Sequence, residues 1–264
     1  MILFAQALIA VSLVSAASPA QDDGPLIAAA IDAGRFVQAE TMLERLPAAQ
    51  RDDETAILAA RLALAQGRAA DAYRDFALLA ARQPDRCVVI AGLGVSAAQL
   101  GDEDQAIPAL ARATAGCHVD WRVWNALAAA CDARGRWSEA GAAFARALEL
   151  AGPRPLLLNN LGVSLLHQGR FAAAADYFRV AARAAPDDRR IIDNLDIAAA
   201  SIGIAPVRDP AHEDATRWAA RLGNAGNAAL RAGRTADARA YLAEAVTVGP
   251  VLSADADRAL RDLH

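Results

Sequence analysis

The residues best suited to chemistry in this sequence are three cysteines and four histidines. Cys87, Cys117, His118 and Cys131 are the ligand types that zinc takes, but they lack the C-x-x-C spacing of a zinc site. Cys131 lies some ten residues along a predicted helix that begins near Trp121, or about 15 Å at the usual rise per residue. The sequence therefore predicts no metal site, and it places Cys131 in the core.

Cys87 and Cys117 are predicted to pair with each other. Cys87 begins the first helix of a predicted hairpin and Cys117 ends the second, so antiparallel packing brings the two to the same end. In an oxidising compartment a disulfide forms between such residues. It would close a loop of about 31 residues and stabilise the fold by roughly 3–4 kcal/mol in the chain-entropy model. The alternative is two buried free thiols.

No set of residues with a catalytic pattern is present. The sequence has no H-E-x-x-H, no G-x-S-x-G and no glycine-rich phosphate loop, and its 27 basic residues are all arginines, so there is no lysine for phosphate or Schiff-base chemistry. The net charge of −4 is spread along the chain and attracts neither nucleic acid nor anionic lipid. We therefore predict no catalytic residues, no cofactor, no nucleic-acid partner and no small-molecule substrate.

The elements that must position these residues are helices. Apolar residues make up 55% of the chain, and alanine is abundant, which favours closely packed helices over sheets. Seven glycines recur at separations of 33, 34, 34, 34, 34 and 30 residues: Gly34, Gly67, Gly101, Gly135, Gly169, Gly203 and Gly233. A fixed period near 34 indicates a repeat architecture.

Small and large side chains follow six of the seven glycines at constant offsets, and Gly203 is the exception. Five residues later stands alanine: Ala39, Ala72, Ala106, Ala140, Ala174 and Ala238. Nine residues later stands a large apolar residue: Leu43, Phe76, Leu110, Phe144, Phe178 and Leu242. These offsets give each helix one apolar stripe and allow the two helices of a hairpin to approach closely.

The segment from Leu156 to Pro186, with Leu161-Gly162, Gly169, Ala174 and Phe178 at the signature places, resembles a tetratricopeptide repeat (TPR). The unit from Trp121 to Gly152 is similar. The resemblance implies an all-α fold, a right-handed solenoid of TPR helical hairpins with about six to seven repeats and a C-terminal capping helix. It also implies a protein that binds protein or peptide partners and is not an enzyme.

The array is expected to occupy residues 21–203. Pro206 and Pro210 then stand four apart, where one regular helix cannot contain them, so residues 204–213 are predicted to form a linker. Residues 214–264 are predicted to form a last TPR-like hairpin and a capping helix that begins at Ser253.

Residues 1–20 carry no charge and are predicted to be a signal peptide. The apolar run from Ile2 to Ala17 is short for a bilayer span and is followed by small residues that suit cleavage after Ala20. The protein is therefore expected to be exported to the periplasm. A retained N-terminal anchor in the inner membrane is the alternative, and membrane contact is expected only in that case.

In proteins that this array resembles, the concave surface is lined by the first helix of each unit. Corresponding places in three units hold Asn125, Asn159 and Asp193, which we name the polar column. The residues that flank the column are Asn160, Asn194, Arg122 and Arg190. Amides donate to and accept from a peptide backbone, and arginine binds carboxylates. We predict that these residues bind the partner and that the column faces solvent. The alternative is an internal role, for which Asn160 and Asn194 occupy the usual place.

The expected function is that of a periplasmic scaffold or adaptor. The stretch from Leu158 to Leu166, followed by Asn194-Leu195, is similar to TPR proteins of tight-adherence (Flp) pilus assembly, the TadD type. That similarity implies a role in pilus or secretion-system assembly. An accessory subunit of a cell-envelope enzyme or of a cytochrome c maturation system is the alternative.

Overall fold

The structure, a computed structural model, describes residues 23–249 and 254–261, and every regular element within these ranges is helical. The predicted signal peptide lies outside the described residues, as do Pro250 and Ser253. Across the described ranges, no helix combines the length and the apolar character that a bilayer crossing requires. The chain divides into two compact units, and the second begins at Ala69.

The first unit contains the described residues up to Arg68. Its elements are α1 (Gly24–Asp32), α2 (Phe36–Arg45), a short 3-10 helix (Ala48–Gln50) and α3 (Asp53–Ala65). Helix α3 begins at Asp53 because the carboxylate of Asp52 accepts a hydrogen bond from the N–H of Thr55 at 3.0 Å. The three helices enclose a small core of apolar side chains: Ile27, Ala30, Ala39, Leu58 and Leu62.

The second unit is a series of helical hairpins, in which we name the first helix A and the second B. After α4 (Ala69–Arg82), its regular part consists of α5 (Cys87–Gln99), α6 (Glu103–Gly116), α7 (Trp121–Ala133), α8 (Trp137–Ala151), α9 (Pro155–His167), α10 (Phe171–Ala184) and α11 (Arg189–Ser201). The A helices α5, α7, α9 and α11 begin at intervals of 34 residues. The all-α prediction and the helical-hairpin prediction are confirmed.

Glycine and alanine make the hairpins tight. Gly135 and Gly169 have φ angles of +68° and +70°, a left-handed conformation that lets the chain reverse between helices A and B. Across the hairpin, Ala174 is fully buried. Gly162 faces the ring of Phe178 so closely that a Cβ atom there would lie 2.6 Å from a ring carbon. The constant spacing in the sequence therefore reflects helix pairs that touch through small residues.

The regular alternation ends after α11. Residues 204–209 form no regular element, and the next helix is α12 (Ala215–Arg231), followed by α13 (Thr235–Val248). Asp193 pairs with Arg217 and Asp196 pairs with Arg221, so α12 runs parallel to α11. Helix α12 thus packs as the next A helix, and the irregular segment stands in place of a helix B.

A short helix, α14 (Ala254–Arg261), covers the last hairpin. Ala256 is buried in one cluster with Trp218 and Leu222 of α12 and with Leu242 of α13, and Leu260 packs against this cluster. The prediction of a C-terminal capping helix is confirmed.

Candidate functional site

The polar column lies on successive A helices, and each of its two asparagines binds a flanking asparagine of the following repeat. Nδ2 of Asn160 donates to Oδ1 of Asn125 at 3.0 Å, and Nδ2 of Asn194 donates to Oδ1 of Asn159 at 2.9 Å. Nδ2 of Asn159 reaches Oδ1 of Asn160 at 3.4 Å. All four amides are half-buried. They therefore form a chain of inter-repeat hydrogen bonds that joins α7, α9 and α11.

Asp193, the last member of the column, pairs with an arginine of the next helix. Nη1 of Arg217 on α12 donates to Oδ2 of Asp193 at 3.0 Å, and Nη2 makes a second bond to the same carboxylate. The column thus makes bonds between repeats, as in the internal alternative, while its side chains are half-buried and Asn159 also lines the cleft described below. Partner binding by these residues stays a prediction.

Replacing Asn159 with Ala is expected to lower the free energy of unfolding by about 0.5–1.5 kcal/mol, because Nδ2 of Asn194 then loses its acceptor at a half-buried site. Asn224→Ala, at an exposed position of α12, is the matched control, because it makes the same gain in helix propensity, up to about 0.7 kcal/mol, without losing the hydrogen bond. Urea unfolding of both variants measures the difference. Equal midpoints would mean that the amide chain contributes nothing to repeat packing.

A cleft of about 320 Å³ lies beside the column, where α7, α9 and α11 begin. Its lining is both apolar and charged: Trp121, Arg154, Pro155, Leu156, Asn159, Asp188, Arg190 and Ile191. Leu156 is 43% exposed although it is large and apolar. Three successive A helices therefore build one open cleft whose walls suit a ligand with both apolar and polar groups.

The arginines of this region differ in their partners. Arg122 binds Asp120, with Nη1 2.9 Å from Oδ2, and Arg190 binds Asp188, with Nη2 3.2 Å from Oδ2. Asp120 and Asp188 also cap α7 and α11, and the hydrogen bonds from Arg190 lower the pKa of Asp188. The guanidinium groups of Arg122 and Arg154 both lie over the ring of Trp121, 4.9 Å and 5.4 Å from its centroid. Of the predicted residues, Asn159 and Arg190 line the cleft and Arg122 does not, whereas Trp121, Arg154 and Leu156 line it and were not predicted.

A disulfide joins Cys87 to Cys117 at the same end of the hairpins. Their Cα atoms are 5.7 Å apart, and Cys117 follows the last residue of α6. Only three residues lie between Cys117 and Trp121, so the bridge restrains the chain that leads into the cleft wall. Cys131 is a free buried thiol whose pKa is raised by burial, as suits a core residue.

Two further polar groups join repeats away from the cleft. Nδ1 of His167 lies 2.8 Å from Oδ2 of Asp132, whose carboxylate is buried at the end of α7. Arg221 on α12 binds Asp196 of α11 and Glu213 of the irregular segment, and all three side chains are buried.

Among the described residues no group of three or more His, Cys, Asp or Glu side chains is arranged to hold a metal ion.

The fold and this surface define a helical-repeat protein whose A helices share one face. The model of the tetratricopeptide repeat family matches residues 91–155 and 133–189, so the middle of the chain carries tetratricopeptide repeats. Such repeats are typically non-enzymatic scaffolds that mediate protein–protein interactions. A comparison with curated protein sequences found no match.

Solved structures share the fold. The chain is similar to one in the crystal structure of the APC/C hetero-tetramer Cut9–Hcn1, with 18% identity and a TM-score of 0.61 over 92% of this chain and 49% of that one. It thus spans about half the length of that relative. It is also similar to TTC0263, a thermophilic TPR protein of Thermus thermophilus, with 23% identity and a TM-score of 0.54 over 67% of this chain and 97% of that one. Both likenesses concern the fold.

Proposed function

We propose that this chain is an exported scaffold of the cell envelope that binds an extended segment of a protein partner in the cleft at the start of α7, α9 and α11. The cleft carries this proposal because three successive A helices build it together. A segment lying there contacts several repeats at once, which is how stacked repeats create extended binding surfaces. Exposed Leu156 offers apolar area, and the arginines and Asn159 offer hydrogen-bond donors.

Affinity capture of envelope proteins with a Trp121→Ala variant tests this proposal. Buried aromatic anchors dominate interfaces, so the loss of Trp121 is expected to reduce the captured partner at least tenfold. Trp137→Ala is the matched control, since Trp137 is 38% exposed and begins α8 at the opposite end of the hairpin. If both variants capture the partner as the wild type does, the cleft is not the binding surface.

Export is supported by two features. The uncharged apolar segment at 1–20 suits a signal peptide, and a disulfide between Cys87 and Cys117 suits the oxidising periplasm. N-terminal sequencing of the protein recovered from the envelope is expected to begin at Gln21. A sequence beginning at Met1 would support the retained inner-membrane anchor instead.

A role in pilus or secretion-system assembly is the finer form of the proposal. Its support is the similarity of Leu158–Leu166 and Asn194-Leu195 to TPR proteins of the TadD type. A pilus or secretion component in the captured fraction is the result expected from this form. Enrichment of haem-ligation or cell-wall enzymes would replace it with the accessory-subunit function.

A further inference from the structure

Arg154 breaks a local pattern in the repeats. It precedes the first residue of α9, and the equivalent residues before α7 and α11 are Asp120 and Asp188, which cap those helices. An arginine at this position cannot accept a capping hydrogen bond from the helix N–H groups. Its charge is also repelled by the positive end of the helix dipole. Before α5 the position also holds an arginine, but Arg86 donates to Gln83 at 2.9 Å. Residues that break a local rule are typical of functional sites.

The guanidinium of Arg154 lines the cleft without an acid partner, because the acid of the lining, Asp188, binds Arg190. It lies 5.4 Å from the centroid of the Trp121 ring, which Arg122 also contacts, and in the part of the chain that the structure describes no carboxylate pairs with Arg154. Stacking on an indole restricts the arginine side chain and leaves the outer N–H groups available. The side chain of Arg154 is therefore already oriented before a partner's carboxylate binds. Binding then costs less conformational entropy than it would for a freely moving arginine.

The charge of the cleft is opposite to that of the chain. Arg154 and Arg190 line it against one acid, Asp188, which leaves the lining one positive charge in excess, whereas the whole chain carries −4. Pro155, Leu156 and Ile191 form an apolar wall beside this charge. The cleft volume is near the lower end of the range of about 300–1,000 Å³ found for ligand pockets, which suits a few side chains of a peptide.

We propose that the cleft binds an acidic residue of an extended partner segment, whose carboxylate pairs with Arg154 while a neighbouring apolar side chain packs against Leu156 and Pro155. This assignment rests on the proposed function and names the chemistry that the partner must carry. An Asp or Glu side chain within the segment is the source of the carboxylate, because the cleft is open and does not require the segment to end there.

Phage selection tests the assignment with a defined probe. The probe is a library of random nonapeptides fused at their C-termini to the coat protein, so that no free terminal carboxylate is displayed. The targets are the full chain, its Arg154→Gln variant and an Arg170→Gln control, in which an exposed arginine before α10 loses the same charge at the other end of the hairpin. Asp or Glu next to a large apolar residue is expected to be enriched on the wild type and on the control.

Selected peptides are then synthesised with a C-terminal amide and titrated by fluorescence anisotropy. Changing the acid of the peptide to its amide is expected to weaken binding to the wild type about tenfold, and Arg154→Gln is expected to weaken binding of the acidic peptide by the same factor. Combining the two changes should weaken binding no further, because both remove the same ion pair. A library without an acidic consensus, or an acid preference that survives Arg154→Gln, overturns the assignment. Each peptide is also titrated with a free C-terminal carboxylate, and tight binding by that form alone overturns the assignment.

The outcomes separate this assignment from the proposed function. If neutral peptides are selected and Trp121→Ala abolishes their binding, the cleft binds proteins and only the acidic chemistry is wrong. If acidic peptides bind at Arg154 but Trp121→Ala leaves capture of the envelope partner unchanged, the cleft binds acids and the proposed scaffold surface lies elsewhere.

Discussion

Replacing Arg221 with Met is expected to lower the free energy of unfolding by about 3–5 kcal/mol, because it leaves buried carboxylates without their cation. Arg221 is 7% exposed. Its Nε lies 2.7 Å from Oδ2 of Asp196 and its Nη1 lies 2.8 Å from Oε1 of Glu213, while Nη2 reaches the carbonyl of Val207 at 3.3 Å. The side chain of Arg221 thus links α12, by hydrogen bonds, to α11 and to the irregular segment between the two helices.

Urea or thermal unfolding measures this loss, and two variants calibrate it. Arg179→Met removes an arginine whose side chain is 43% exposed and pairs with Asp176, and it is expected to change stability by about 0–1 kcal/mol. Asp196→Ala combined with Arg221→Met removes one of the orphaned acids and should recover part of the loss, since replacing both partners of a buried pair costs less than replacing one. If Arg221→Met is no more destabilising than Arg179→Met, the buried ion pair does not hold the segment.

The same variant has an expected pH dependence. Burial raises the pKa of Asp196, and the hydrogen bond and charge of Arg221 oppose that rise. Without Arg221 the folded-state pKa rises further above the unfolded value of about 3.9. The folded state then holds a proton that the unfolded state has lost, so stability is present at low pH and falls as pH rises through that window. The deficit of Arg221→Met relative to the wild type is therefore expected to be smaller at acidic pH than at neutral pH.

Much of the fold could be read from the sequence because local rules fix it. Gly135 and Gly169 end A helices in a conformation that few other residues adopt, and alanine stands where helices A and B touch. These constraints act within one hairpin and repeat every 34 residues. The period therefore predicts where helices begin and end without any knowledge of how the hairpins stack.

Contacts between hairpins were harder to predict. The sequence places Asn125 and Asn159 at equivalent positions, but the hydrogen bonds join residues 35 apart, Asn125 to Asn160 and Asn159 to Asn194. Adjacent residues on a helix point about 100° apart, so on α9 Asn159 bonds to α11 while Asn160 bonds to α7. A pattern with a period of 34 does not show which of the two residues faces which neighbouring hairpin.

The contacts of the irregular segment between α11 and α12 were also hard to predict from the sequence. Pro206 and Pro210 predict that no regular helix B follows α11, and Asp196 stands out where the repeat has a small residue. The sequence does not show that Arg221, 25 residues later, binds this acid. That pairing exists only because α12 packs directly and in parallel against α11, an arrangement that follows from the missing helix.

Removing the disulfide by replacing Cys87 and Cys117 with Ala is expected to cost about 3–4 kcal/mol of unfolding free energy. The two residues are 30 positions apart, so the bridge restricts the unfolded chain over the length of a hairpin. In the folded state it joins the first residue of α5 to the end of α6, just before the segment that leads to Trp121. Loss of the bridge should therefore reduce peptide binding in the cleft as well as stability.

The comparison that tests this uses reductant as its control. Dithiothreitol is expected to lower the unfolding midpoint of the wild type to near that of the double variant and to leave the variant itself unchanged, because its remaining thiol, Cys131, is buried and free. Repeat arrays unfold by nearest-neighbour steps, so the loss should centre on the hairpin of α5 and α6 and on α7 beside it. Hydrogen exchange maps it: faster exchange confined to this region supports the local role, and an equal acceleration in all the described helices would contradict it.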